Sequence, residues 1–249
     1  MKNLIKMKKA IISLSGGLDS TCLLMELLSK DYEIKSYSFD YGQKHRVELE
    51  KVQKNIKLLQ DKGFKVSHQI INLRDVFSDS NSSLHEGGSA IPHGYYTEEN
   101  QKSTVIENRN IIFSSIIFGK ALSWANKTNE HVDITLGIHS GDHSIYKDCR
   151  PESQEAAEYL YKISNWGSER VDYIAPFVNI DKSEVLRRGV EAMKKLNFTD
   201  SDINSVLLNT HTCYDVNEKG ESCGQCGSCR ERLEAFEKNN MKDPIPYQK

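Results

Sequence analysis

The chain has 249 residues, enough for one large domain or one domain with a small appendage, and its 38% hydrophobic and 27% charged residues are ordinary for a globular protein. A formal net charge of −2 excludes a broad electropositive field for RNA or DNA, so no extensive nucleic-acid binding is expected. No apolar run approaches the roughly 20 residues of a membrane span, and the basic start Met1-Lys2-Asn3-Leu4-Ile5-Lys6-Met7-Lys8-Lys9 lacks the apolar core and cleavage site of a signal peptide, so a cytoplasmic protein is expected.

Residues 9–14 read as a buried parallel strand that stops at a Gly-rich turn. Residues 18–30 follow as a helix with Leu23, Leu24, Leu27 and Leu28 on one face. Residues 33–39 read as a strand, 46–60 as a helix and 64–71 as a third strand. The alternation predicts an α/β doubly wound parallel sheet. Residues 72–103, rich in Ser, Asn, Gly and His, show no periodicity and read as a long loop, either a lid or a disordered insertion. Regular elements resume with a helix over 110–126, a strand over 132–138, a turn-like stretch over 139–150 and a helix over 151–165. A strand over 171–178 and a helix over 182–196, capped by Asp181, follow. A short helix over 230–239 ends the regular structure. The expected division is an α/β domain over 1–200 and a C-terminal lobe over 201–249.

The turn Ser15-Gly16-Gly17-Leu18-Asp19-Ser20 sits where a strand hands over to a helix. Two glycines let the backbone curl close to a ligand, and the amides of the curl and of the helix start converge on an anion site. Ser15 and Ser20 add hydroxyls, and Asp19 is placed to hold Mg2+ against phosphates. The Walker pattern is absent. The loop resembles the SGGxDS loop of the ATP pyrophosphatase superfamily, which implies that Leu14 to Ser20 cradle ATP, that Tyr37-Ser38-Phe39-Asp40 with Phe39 walls the nucleoside, and that Lys182 matches a family lysine at the start of a late helix. An ammonium there suits the charge developing on a leaving pyrophosphate; a lysine on a solvated helix face is the alternative.

Of six cysteines, Cys22 and Cys149 stand alone, while Cys213, Cys223, Cys226 and Cys229 cluster near the C-terminus. Four thiolates at this spacing suit a tetrahedral structural zinc, with an iron–sulfur cluster as the chemical competitor.

The phosphate loop, Asp40-Tyr41-Gly42-Gln43-Lys44-His45, Ser103-Thr104-Val105-Ile106-Glu107-Asn108-Arg109-Asn110, Tyr146-Lys147-Asp148-Cys149-Arg150 and Thr212-Cys213-Tyr214 occur in family order and, with the four cysteines, resemble the 7-cyano-7-deazaguanine synthase (QueC) family over essentially the whole chain. The resemblance implies adenylation of 7-carboxy-7-deazaguanine by ATP, capture by ammonia to give an amide, and a second activation that dehydrates it to the nitrile. It also implies a homodimer. Arg109 is expected to pair with the substrate carboxylate or the AMP phosphate, with Asp19 and Lys182 beside it in catalysis. Asn110, Asp142, Asp148 and Arg150 are expected to bind substrate, although Asn110 also fits a helix N-cap, and Asp142 with His143 fits a hydrogen-bonded loop. Cys149 has no nucleophilic role in adenylation chemistry.

Two departures stand beside these contacts. Glu107 and Lys147 occupy positions where the family has proline, and their opposite charges suggest an ion pair. They also keep a second reading open: a QueC-like paralogue of antiviral defence that passes the adenylated acid to an amine of a protein partner, such as an N-terminus. A tRNA-acting thiolase would need reactive cysteines near the ATP site and a basic surface, and neither is evident.

Overall fold

The computed structural model describes residues 7–95 and 99–248, with His143 and Ser144 described by backbone alone. The first six residues of the basic start and three positions of the long loop therefore lie outside the described residues. Five strands, β1 (Lys8–Ser13), β2 (Tyr32–Asp40), β3 (Val66–Asn72), β4 (Val132–Thr135) and β5 (Val171–Ile174), form one sheet in the order β3-β2-β1-β4-β5. All four pairings are parallel, and Ala10 of the central strand is in register with Ile34 on one side and Asp133 on the other. A central parallel strand is covered on both faces, which is why Ala10, Ile11 and Ile12 run together without a polar residue and are fully buried.

Among the described residues seven helices pack around the sheet: α1 (Leu18–Leu28), α2 (Val47–Asp61), α3 (Arg109–Thr128), α4 (Pro151–Ser164), α5 (Lys182–Lys195), α6 (Asp200–Leu208) and α7 (Gly227–Lys238). Ile12 joins a core built with Leu23 and Leu24 of α1, Val52 and Ile56 of α2, Val185 and Leu186 of α5, and Ala235 and Phe236 of α7. Ile11, one pleat along, joins the opposite core with Ile117 and Trp124 of α3 and Tyr161 of α4. α1 and α5 pack closely because Gly189 has no side chain; a Cβ there would run into Cys22 Sγ. Cys22 is thus a packing residue, and its burial pushes the thiol well above its ordinary pKa.

The sequence reading placed the strands and most helices and differs from the structure at ends that matter. β4 stops at Thr135, so Leu136, Gly137 and Ile138 leave the sheet at its carboxyl edge; β5 stops at Ile174, shortly before Pro176. α6 was not anticipated, although Thr199 and Asp202 form a capping box at its start. The described part of the segment over 72–103 is neither open nor shapeless. It includes two short 3-10 turns, Arg74–Phe77 and Glu99–Thr104, and buries Phe77, Ser83 and Leu84. Lys44 donates from its backbone to Leu84 O at 2.9 Å, and His93 makes a bridge with Cys226.

The order β3-β2-β1-β4-β5 reverses direction between β1 and β4. In open α/β sheets ligands bind outside the carboxyl ends of the strands at such a reversal, and here the Gly-rich turn and the Leu136–Ile138 exit meet at that point.

Candidate active site

The turn after β1 is shaped by what Gly16 cannot carry. Its φ is +90°, and a Cβ would stand 2.6 Å from Glu48 O and 2.8 Å from Val52 Cγ2. Gly17 is the N-cap of α1 and offers no side-chain cap, so the helix's first amides are left for another acceptor. Gly17 N–H donates to Ser15 Oγ at 3.2 Å, and the Ser15 and Ser20 hydroxyls lie 3.1 Å apart. Gly137 matters equally: a Cβ on it would come within 2.9 Å of Ser20 N, so only glycine lets the β4 exit lie against the start of α1. Ser15, Gly17, Ser20 and Gly137 line one cavity with Asp19, Phe39, Arg109, Asn110, Asp142 and Lys182.

Charge is concentrated on one side of this cavity. Asp181 caps α5 by accepting from Glu184 N–H at 2.9 Å, which aims Lys182 inward from the first turn. Lys182 Nζ is buried, 3.5 Å from Asp19 Oδ2 and 3.1 Å from Glu231 Oε2. Burial works to discharge it, but Asp19, Glu231 and Asp142 outweigh that and hold its pKa above the ordinary value. His139, 1% exposed, accepts from Gly141 N–H at Nδ1, so its proton sits on Nε2, which faces Asp19, Asp142 and Glu231 at 3.8–3.9 Å. Asp19 Oδ1 is buried with no hydrogen-bond partner. An orphaned carboxylate oxygen beside a phosphate loop is the donor a hard cation takes.

Arg109 opens α3 on the other side. Its Nη1 donates to Tyr41 OH at 3.3 Å and its Nε to Asn110 Oδ1 at 3.2 Å, with the guanidinium 5.5 Å from the Tyr41 ring centroid. Among the described residues no carboxylate lies within ion-pair distance of it. Asn110 does not cap α3; Asn108 holds the cap position in a left-handed conformation, and Asn110 Nδ2 donates to Cys149 Sγ at 3.4 Å. Phe39 stacks on Phe113 of α3 with centroids 4.0 Å apart. Two further side chains complete the wall, Glu48 from the first turn of α2 and His45 from the loop before it.

The structure brings Leu14, Ser15, Gly17, Asp19, Ser20, Phe39, Arg109, Asn110, Asp142 and Lys182 to this cavity, with Gly16 and Leu18 packed behind the loop. Asp148 and Arg150 do not line the cavity; Asp148 sits in the short turn Lys147–Cys149 beside the lining residue Cys149, its O accepting from the Gln154 side chain, and Arg150 is the N-cap of α4. The His143 side chain lies outside the described residues. The expected Glu107–Lys147 ion pair does not form; Glu107 accepts from Ser80 Oγ at 3.0 Å instead. No described residue over 73–103 lines the cavity, so that segment is not a lid in this conformation. Sequence reasoning missed Glu48, Phe113, Gly137, His139 and Glu231. Only Gly137, a glycine closing a strand, left a local signal.

The four cysteines form a second centre. Cys213, Cys223, Cys226 and Cys229 are buried, and their sulfurs lie within 4.8 Å of one another, a set that could hold a metal ion. Backbone amides of Asp215 and Cys223 point at Cys213 Sγ at 3.3 and 3.2 Å, and those of Gln225 and Cys226 at Cys223 Sγ at 3.3 Å. Such donors stabilise thiolates. This loop is tied to the first site: His211 N–H donates to Gly16 O at 2.8 Å. Behind it Arg232, fully buried, uses all five N–H groups on Asp243 (two bonds), Thr210, Thr212 and Leu207 O.

Residues 9–240 match the family model described as queuosine biosynthesis protein QueC. The chain belongs to the QueC family. Within it, the chain is 38% identical over 242 residues to a 7-cyano-7-deazaguanine synthase of Marinomonas sp., covering 97% of this chain and 99% of that one. A 7-cyano-7-deazaguanine synthase of Caldicellulosiruptor saccharolyticus is 37% identical over 240 residues, 96% of each chain. A solved 4-thiouridine synthetase–RNA complex with bound ATP is 19% identical with a TM-score of 0.43, over 91% of this chain and 50% of that one, a likeness too distant to bear on function. Among the described residues no helix is long and apolar enough to cross a membrane.

Proposed function

We propose that this QueC-family chain is an ATP-dependent carbon–nitrogen ligase that adenylates 7-carboxy-7-deazaguanine and converts it with ammonia, through the amide, to 7-cyano-7-deazaguanine. The observation that carries the reading is Arg109: among the described residues no carboxylate stands within ion-pair distance of its guanidinium, which faces the same cavity as the uncapped N-terminus of α1. A half-buried guanidinium that no carboxylate pairs directly is a site for an anion, and the helix start is a second one. Two anions brought together at the β1/β4 reversal are what acid activation by ATP requires.

The amides of 17–20 and the Ser15 and Ser20 hydroxyls hold the phosphates, and Phe39 with Phe113 walls the base. Arg109 orients the substrate carboxylate so that its oxygen attacks the α-phosphorus in line with the departing pyrophosphate. Lys182 meets the charge that develops on that leaving group. Asp19 would hold the Mg2+ that accompanies ATP and neutralises its phosphates. The four cysteines would hold zinc as a closed structural centre: one tetrahedral ion fits sulfurs this close, whereas a cluster with one thiolate per iron spreads them further.

The test is incubation with ATP, magnesium, 7-carboxy-7-deazaguanine and ammonium, with products read by mass. The nitrile and AMP are expected. Absence of AMP overturns the ligase reading; AMP with amide or activated acid and no nitrile moves the function to conjugation with an amine, in the manner of a defence-associated paralogue. We further propose a homodimer acting in the cytoplasm.

A further inference from the structure

Glu48 is a buried carboxyl at the cavity wall for which the adenylation step has no use. Its Oε1 accepts from Gln43 Nε2 at 2.9 Å, and its Oε2 faces His45 Nε2 at 3.7 Å, beyond hydrogen-bonding reach. His45 is only 4% exposed, and its Nδ1 is buried without a hydrogen-bond partner. In a cavity wall, a buried polar atom without a protein partner marks a place where a bound group can supply one.

The place of Glu48 in the fold says which group. Its backbone carbonyl lies against Gly16 of the phosphate loop, and its side chain interacts electrostatically with Arg109 across the cavity. Glu48 thus stands at the junction of the phosphate loop and the Arg109 wall. In an acyl adenylate the acyl carbon is one oxygen away from the α-phosphorus, so a nucleophile must reach that carbon at this junction.

We propose that Glu48 and His45 form the subsite for the nitrogen nucleophile, an ammonium ion or small primary amine, and that the Glu48 carboxylate removes the proton blocking the nitrogen lone pair. The proposal rests on the adenylation reading above. In the step, an N–H bond of ammonium breaks and its proton passes to Glu48. The freed lone pair forms a C–N bond at the acyl carbon. The adduct loses a second proton to the departing phosphate, the C–O bond to AMP breaks, and AMP leaves with that electron pair. Glu48 returns its proton to water before the next cycle.

The groups facing Glu48 are consistent with that role. His45 and Tyr41 flank it, Arg109 faces it from α3, Gly16 presents only backbone, and His211 lies beyond His45. Burial pushes the Glu48 carboxyl up to about 8, with the Gln43 hydrogen bond and Arg109 pulling the other way. A base works best with a pKa near the working pH. Burial, with His211 and Arg109 nearby and Cys226 pulling the other way, brings His45 down to about 3, so it stays neutral and adds no repulsion to an incoming cation.

The experiment measures product per pyrophosphate released in wild type, Glu48→Gln and Glu48→Asp, with ammonium or with hydroxylamine, which carries no charge at neutral pH and needs no base. In Glu48→Gln, amide per pyrophosphate should fall by about 100-fold with ammonium, while hydroxamate per pyrophosphate stays at the wild-type ratio. Glu48→Asp should recover part of the ammonium reaction. An unchanged ammonium ratio in Glu48→Gln, or an equal loss with hydroxylamine in both variants, overturns the subsite alone. A wild-type protein that releases no pyrophosphate overturns the adenylation reading and the subsite with it.

Discussion

Lys182 pairs with Asp19 and Glu231 within reach of the Asp142 charge, and the arrangement says what its removal would do. In Lys182→Gln the acids Asp19, Glu231 and Asp142 lose their common cation and confront the triphosphate directly. The rate of pyrophosphate release should fall by roughly 100- to 1,000-fold with an unchanged circular dichroism spectrum. Histidines held neutral set the acid side of stability. Burial lowers His45 to about 3 and His68 to about 4. The unfolded chain therefore binds protons first, and stability present above pH 6.5 is lost as pH falls toward 4. His68→Gln should take up one proton fewer on unfolding at pH 5, measurable as a shallower slope of Tm against pH. At this scale the Gly-rich turn, Phe39, Asp19, Lys182, Arg109 and the four cysteines were legible because each belongs to a local pattern. Glu48 and Glu231 were not. They read as surface glutamates of amphipathic helices until the fold turns Glu48 to the cavity and Glu231 to Lys182. Asp148 and Arg150 do not line the cavity in this conformation, although Asp148 stands beside Cys149, which does.

At the scale of elements, function depends on close approaches rather than on side-chain chemistry. Gly16→Ala places a methyl group against Glu48 O and keeps a positive φ, which alone costs about 1–2 kcal/mol. Nucleotide affinity should drop by an order of magnitude or more, read by calorimetry, with Tm lowered by several degrees. Arg232 fastens α7 to the end of α6 and to Asp243. Arg232→Ala strands the buried Asp243 carboxylate and should lower stability by about 3–5 kcal/mol in chemical denaturation. Periodicity revealed β1, β2, β3 and most helices, because each buries one continuous face. It overran β4, since Leu136 and Ile138 are as apolar as the strand they follow, yet they serve the cavity. It missed α6, whose capping box sits in a stretch that reads as a polar connection.

Across the whole molecule, the sheet order decides where everything meets. Alternation of strands and helices implied a parallel doubly wound sheet, but nothing in the chain's local patterns states that β4 returns beside β1. That return is a long-range choice made by packing, and it creates the cleft. The bond from His211 to Gly16, with Cys213 two residues on, has a thermodynamic corollary. If an ion held by the cysteines steadies the turn that grips ATP, each ligand must alter the other's dissociation constant by the same factor. Saturating nucleotide should slow capture of the ion by a colorimetric chelator, and stripping the ion should weaken nucleotide binding to a matching degree. The cysteine lobe would then report whether the nucleotide pocket is filled.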